Sequence, residues 1–215
     1  MIKLTSITKS FGSLKVLESI DLTVAKGEFI ALVGKSGSGK STILNIIGTL
    51  DKPTGGSVLI DGQDLSQLND KQLAEFRSKS LGFVFQSFHL EPTYSVYKNV
   101  EIPLLIAKVP KKERIAKIEE VLAKVNLSDK IKQKSSTLSG GEKQRVAIAR
   151  SLANNPKIIL ADEPTGNLDS ASGKIVLSLL RELANQGIII LLVTHSETDA
   201  AIADRVISLE DGKVV

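Results

Sequence analysis

A chain of 215 residues with 42% hydrophobic and 24% charged residues can fill a complete core, and it lacks the bias of disordered, collagenous or coiled-coil sequences. The longest apolar run is the six residues 188–193, against roughly 18 for a bilayer span, and residues 1–10 lack the apolar stretch of a signal peptide. Without cysteine there are no disulfides and no thiolate metal sites, as expected in a reducing compartment. A net charge of +4 reads first as a solvated-surface surplus, the alternative being an anionic partner or membrane face.

In chain order, the first third reads as strands. Residues 20–24, a turn at Lys26-Gly27 and residues 28–33 predict a hairpin feeding a buried strand at 29–33. An apolar helix follows over 42–50, stopped by Pro53 and Gly55-Gly56. Strands are expected at 57–60, before Asp61-Gly62, and at 81–85. From 87 to 155 the pattern turns helical, with Ile115, Ile118, Leu122 and Val125 forming one apolar face. Residues 157–161 and 188–193 are continuous apolar strands of the kind buried on both faces of a parallel sheet. Between them a helix over 170–185 is closed by Gly187. Residues 206–209, Asp211-Gly212 and 214–215 predict a closing hairpin. No repeat, linker or low-complexity segment interrupts the chain. The fold class is α/β: a single domain over 1–215, with a core at 1–86 and 156–215 and an inserted helical lobe at 87–155.

Gly34-Lys35-Ser36-Gly37-Ser38-Gly39-Lys40-Ser41 satisfies G-x-x-x-x-G-K-[ST] between a strand and a helix, which makes 1–86 and 156–215 a nucleotide-binding core. Glycines let successive backbone N–H groups turn inward, and the helix start adds its positive end. Average residue frequencies give such a string by chance in roughly one chain of this length in a hundred or fewer. Lys40 is placed for the β- and γ-phosphates and the Ser41 hydroxyl for Mg²⁺. The phosphate-binding set is thus Gly34, Ser36, Gly37, Ser38, Gly39, Lys40, Ser41 and Thr42. Thr42 stands where a dinucleotide fingerprint needs its third glycine, which excludes that alternative.

Residues 158–163 are an apolar strand ending in two carboxylates. Asp162 is placed for the Mg²⁺ shell and Glu163 to face a water aligned on the γ-phosphate; taken alone, the pair also reads as a solvated turn. Leu138-Ser139-Gly140-Gly141-Glu142 carries the S-x-x-E spacing of a capping box. Gly140 and Gly141 strip the first helical turn of side chains and expose backbone donors at a second positive helix end.

Phosphate loop, Gln86 at a strand end, LSGGE, ILADEP, NLD and a histidine after a strand occur in the order typical of ABC-type ATPases, and the chain resembles that family over essentially its whole length. The resemblance implies a P-loop core with N-terminal antiparallel strands, and a head-to-tail homodimer with ATP between one subunit's phosphate loop and the other's LSGGE segment. Ser139 and Gly141, with Gly140, would then meet the γ-phosphate in trans. By the same matching, Phe11 is the residue that stacks on adenine, where tyrosine is usual, and Gln86 senses Mg²⁺ and the attacking water. Glu163 is the general base, Asp169 belongs to the dimer-communicating loop, and His195 is the switch histidine for the γ-phosphate. From the residues alone, Phe11 also reads as a surface aromatic, Gln86 as a capping amide and His195 as a satisfied strand-end residue.

The family further implies a membrane permease docking near 86–92, expected on a separate chain because no run here is long enough to span a bilayer, and a peripheral position at the cytoplasmic face of the membrane. FVFQSFHLEP and ADEPTGNLDS are most similar to the subgroup that serves lipoprotein release and the export of macrolides and peptides. An importer ATPase and a soluble ABC-type machine on nucleic acid or ribosomes are the alternatives. The short stretch between the phosphate loop and the LSGGE segment, the family's signature, carries no sustained heptads, which argues against the repair type. A GTP switch is excluded by the missing N-K-x-D, and no nucleic-acid partner is expected because no aromatic platform interleaves with basic residues.

Overall fold

Strand residues follow two burial patterns, and each pattern belongs to its own sheet in the computed structural model, which describes residues 1–215. Strands β1 (Ile2–Phe11) and β2 (Leu14–Val24) largely alternate buried and exposed residues, as a sheet with one dry face requires, whereas β3 (Phe29–Val33) is buried almost throughout. The chain continues through α1 (Lys40–Ile47), β4 (Gly55–Ile60), β5 (Gln63–Asp64), α2 (Asp70–Ser80) and β6 (Leu81–Phe85). Helices α3 (Val96–Ile106), α4 (Lys111–Lys124) and α5 (Gly140–Leu152) come next. The chain closes with β7 (Ile158–Asp162), α6 (Ser170–Asn185), β8 (Ile189–Val193), α7 (Glu197–Ala200), β9 (Arg205–Glu210) and β10 (Lys213–Val214).

The antiparallel sheet runs in the order β2-β1-β4-β5. The central sheet places five parallel strands in the order β9-β3-β8-β7-β6, with β10 antiparallel on its edge. Successive side chains of the parallel strands enter opposite cores. Phe29, Ala31, Ile159, Ala161, Ile190 and Leu192 face the core built with α3, α4, α5 and α6. Ile30, Leu32, Ile158, Leu160, Ile189 and Leu191 face the one built with α1 and the antiparallel sheet. Both faces are dry, so these strands read as unbroken apolar runs.

Residues 20–24 and 28–33 do not form the expected hairpin. The turn exists, with the Glu28 N–H donating to the Ala25 carbonyl at 3.3 Å and Gly27 at φ 72°. Yet β2 pairs with β1, while β3 lies between β8 and β9. A turn sets the local chain direction; which sheet receives the next strand is set by burial, and two-sided apolarity sends β3 to the interior. The helix expected over 42–50 starts earlier, at Lys40, and stops at Ile47, where the Gly48 N–H closes on the Leu44 carbonyl at 2.8 Å. Helix α6 covers the expected 170–185, and β9 and β10 form the closing hairpin.

Helix α2 is an element the hydrophobic pattern does not announce, because Leu73 is its one buried residue. Its signal is a capping box: Asn69 Oδ1 accepts from the Gln72 N–H at 3.0 Å and Gln72 Oε1 from the Asn69 N–H at 2.9 Å.

Candidate active site

The phosphate loop leaves β3 at Gly34 and enters α1 at Lys40. Gly34 stands at φ 145°, where a Cβ would lie 2.2 Å from the Leu209 carbonyl oxygen. Gly39 stands at φ 105°, where a Cβ would lie 2.5 Å from Leu17 Cδ2. Only glycine lets the loop pass this close to β9 and β2. No side chain caps α1, so its first N–H groups are left for a ligand. Lys40 is buried, and Nζ donates to the carbonyls of Gly34 and Lys35, both at 2.8 Å. Burial lowers the Lys40 pKa, and the carboxylates of Glu163 and Asp162 oppose that shift. Ser38 is buried behind the loop with its hydroxyl unpartnered.

Parallel strands deliver the acids and the histidine. Phe85 at the end of β6 pairs with Asp162 at the end of β7, which pairs with Val193 at the end of β8. Chemistry-bearing residues just beyond these ends therefore converge. Together with the phosphate loop they line a cleft of about 710 Å³, formed by Ser36, Gly37, Gly39, Lys40, Ser41, Thr42, Gln86, Asp162, Glu163 and His195, with Leu14, Val16 and His89 among the remaining walls. Burial raises the pKa of Asp162; the Ser41 hydroxyl, Lys40 and His195 oppose it. Glu163 is also raised, first by burial and further by Asp162, with His195 and Lys40 opposing.

Glu163 takes a left-handed backbone, φ 50°, and its N–H donates to the Val193 carbonyl at 2.9 Å. His195 Nε2 lies 3.0 Å from Glu163 Oε1. The Asn167 amide donates to the Gln86 carbonyl at 3.0 Å, and the Gln86 Nε2 reaches Asn167 Oδ1 at 3.4 Å. The Ser41 hydroxyl and the Asp162 carboxylate are hard oxygen donors at the phosphate end of the cleft, and nowhere do three His, Cys, Asp or Glu side chains gather into a cage. That donor set fits Mg²⁺, which takes one or two protein oxygens and shares the rest with phosphates.

Other sequence-selected residues lie outside the cleft lining. Phe11 is 52% exposed and pairs across the first hairpin with Leu14, and the Lys9 ammonium sits 4.6 Å from its ring centroid. Asp169 caps α6, accepting from the N–H groups of Ala171 at 3.0 Å and Ser172 at 2.9 Å. Ser139 caps α5 as its spacing predicts: its hydroxyl accepts from the Glu142 N–H at 3.2 Å, and Glu142 Oε2 from the Ser139 N–H at 2.8 Å. Ser139, Gly140 and Gly141 are not brought to the phosphate loop of their own chain. The sequence reading did not single out Leu14 and Val16, since apolar strand residues look like core. It placed His89 only in a docking surface, yet His89 borders the cleft and packs edge-on against Phe85, with centroids 5.0 Å apart.

A phosphate loop at the end of a central parallel strand, with two acids at the tip of the strand next but one, defines a P-loop nucleotide hydrolase. The family model described as ABC transporter matches residues 17–166. The lipoprotein-releasing system ATP-binding protein LolD of Bacteroides fragilis is 48% identical, over 100% of each chain. The macrolide export ATP-binding/permease protein MacB of Nitrosomonas europaea is also 48% identical over all of this chain, which spans only 33% of that protein's length. Among solved structures, a dimeric post-hydrolysis state of the ATP-binding cassette MJ0796 bound to ADP and Pi superposes with a TM-score of 0.89 at 43% identity, covering 100% of this chain and 96% of that one. The chain belongs to the ABC transporter family. Its enzymatic class is that of an ABC-type ATP hydrolase.

Proposed function

We propose that two copies of this chain close head to tail around ATP, and that their closing and opening drive a separate membrane permease which exports or extracts a peptide, lipoprotein or other amphiphile. The observation that carries this reading is the separation of two anion-binding helix starts. The start of α1 lines the cleft, whereas the glycine-bared start of α5 lies outside it on the same chain. A second copy can bring its Ser139, Gly140 and Gly141 donors to the nucleotide; the chain's own cannot. Phe11, next to the cleft wall at Leu14, is the stacking surface for adenine in this arrangement, and Asp169 holds the loop at the dimer seam.

In the chemistry proposed, a water held between Gln86 and Glu163 attacks the γ-phosphorus in line. The new O–P bond forms as the bond to the β–γ bridging oxygen breaks, ADP leaves with that electron pair, and Glu163 accepts the water's proton. A burial-raised carboxyl pKa makes Glu163 a better proton acceptor. Lys40 exchanges two neutral loop carbonyls for phosphate oxygens, and His195 turns its N–H from Glu163 to the γ-phosphate. Ser41 and Asp162 would hold Mg²⁺, which when bound supplies charge neutralisation across the phosphates.

Likeness to a lipoprotein-releasing ATP-binding protein and to a macrolide export protein supports an amphiphilic cargo. No helix is long and apolar enough to cross a membrane, and the chain sits peripherally at the cytoplasmic face in this reading. Next to the 86–92 segment runs a groove of about 460 Å³ walled by Leu50, Phe83, Phe85, Ile102, Pro103 and Ile106, with Ile106 69% exposed. It suits the apolar face of a short permease helix. The test is capture of tagged Glu163→Gln protein with Mg·ATP from solubilised native membranes, beside the same protein carrying Ile106→Glu. A polytopic protein at equal stoichiometry, lost with Ile106→Glu, is the expected result; ribosomes, nucleic acid or no membrane protein overturns it.

A further inference from the structure

We propose that Gln144 is a positioning residue of the hydrolysis site, holding the backbone that carries Gln86 and Glu163 at a fixed spacing; the inference rests on the reading of those two residues given above. Gln144 is completely buried on α5, one and a half turns after Ser139. Its Nε2 donates to the Pro164 carbonyl at 2.6 Å and to the Phe85 carbonyl at 3.2 Å. Phe85 immediately precedes Gln86, and Pro164 immediately follows Glu163.

The need for such a tie follows from the sheet. The last rung of the β6–β7 ladder is Phe85 opposite Asp162. Beyond it the ladder ends and no backbone–backbone hydrogen bond joins the segments that carry Gln86 and Glu163; apart from Gln144, the tie between them is the exposed Asn167–Gln86 amide pair. The Pro164 carbonyl has no other donor, and that of Phe85 takes only the Phe88 N–H at 3.2 Å. The Gln144 amide thus supplies a rung where the sheet has ended. Its orientation is fixed, because a flipped amide would set its oxygen against both carbonyls. The Gln144 Oε1 has no partner, so the side chain is held through its donors alone. Glu163 needs this support: a left-handed non-glycine backbone persists only where its surroundings over-determine it. Its own N–H is fastened to Val193 and the next carbonyl to Gln144.

Gln144→Leu removes both donors at similar volume, and Gln144→Met does so with a more adaptable chain. Displacement of a reacting group by about 1 Å costs on the order of a hundredfold in rate. We expect kcat per nucleotide-binding site to fall about ten- to a hundredfold, with KM for Mg·ATP and nucleotide stoichiometry unchanged. In Gln144→Glu the neutral acid keeps one donor and the carboxylate none, so its rate relative to wild type should recover on acidification. A merely structural role predicts loss of kcat, binding and folded fraction together, and that result, or wild-type kcat in both apolar variants, overturns the proposal. If the leucine variant does not fold, the methionine variant decides by the same ratio. Glu163→Gln is run alongside. If it turns over at the wild-type rate, the reading of the base falls; if it is inactive while Gln144→Leu is fully active, only the positioning role falls.

Discussion

Glu163 gathers most of the site's tension: a carboxylate half removed from water, beside Asp162, on a left-handed backbone and against His195. Its raised pKa has a consequence for stability. Above the folded-state pKa the group is charged in both folded and unfolded chains, and folding bears the burial cost. Below the unfolded-state pKa it is neutral in both, and that cost is gone. Glu163→Gln keeps an acceptor for His195 without the charge. The nucleotide-free variant should therefore melt above wild type at about pH 8, with the gain disappearing towards about pH 4. Thermal unfolding across that range checks it, and a gain that grows on acidification contradicts it. Most of the polar residues that line the cleft were legible as a group in sequence, because the phosphate-loop spacing and the strand-end acids mark them. The conformations were not. Nothing in ADEP marks Glu163 as left-handed, and a glutamine such as Gln144, inside a polar-looking helix start, resembles any solvated residue until tertiary packing buries it.

At the scale of elements, α5 joins three features that lie far apart in sequence. Its start is the signature, Gln144 reaches the strand ends, and in its last turn Arg150 holds the segment after Gln86. The Arg150 guanidinium donates to the Phe88 carbonyl at 2.8 Å and also to that of His89. Phe88 and His89 are both left-handed, at φ 58° and 49°, a conformation costing about 1–3 kcal/mol per non-glycine residue. No carboxylate pairs with Arg150, and burial lowers its pKa. Arg150→Ala should therefore free residues 88–90. Amide exchange there is expected to quicken at least about tenfold while α6 keeps its protection; unchanged exchange at 88–90 contradicts this role. Elements were legible where periodicity or caps are strong, as in α6 and the Ser139–Glu142 box. The hairpin expectation at 20–33 failed because turn chemistry is local and sheet membership is not. The differing patterns of 14–24, alternating, and 29–33, continuous, were the available sign that the two strands belong to different sheets. Helix α2 stayed hidden because a helix with one buried residue leaves no period, though Asn69 and Gln72 spelled out its cap.

At the scale of the whole molecule, the two-sided central sheet explains why the phosphate loop and the glycine-bared start of α5 do not line one cleft within a single chain. Its strand ends present the phosphate loop, Asp162, Glu163 and His195 at one edge, while α5 starts outside that cleft. The most direct measurement is complementation between two disabled chains. Lys40→Ala removes the phosphate-loop charge and leaves the signature intact. Gly140→Asp places a negative charge on the signature and leaves the phosphate loop intact; a Cβ there meets only ordinary contacts, the nearest being Leu168 at 3.4 Å. Each variant alone should be inactive, and mixing them should restore ATP turnover, since hybrid dimers hold one site built from the sound half of each chain. Wild-type turnover by Gly140→Asp alone, or a mixture no more active than its components, would contradict a site shared between two copies.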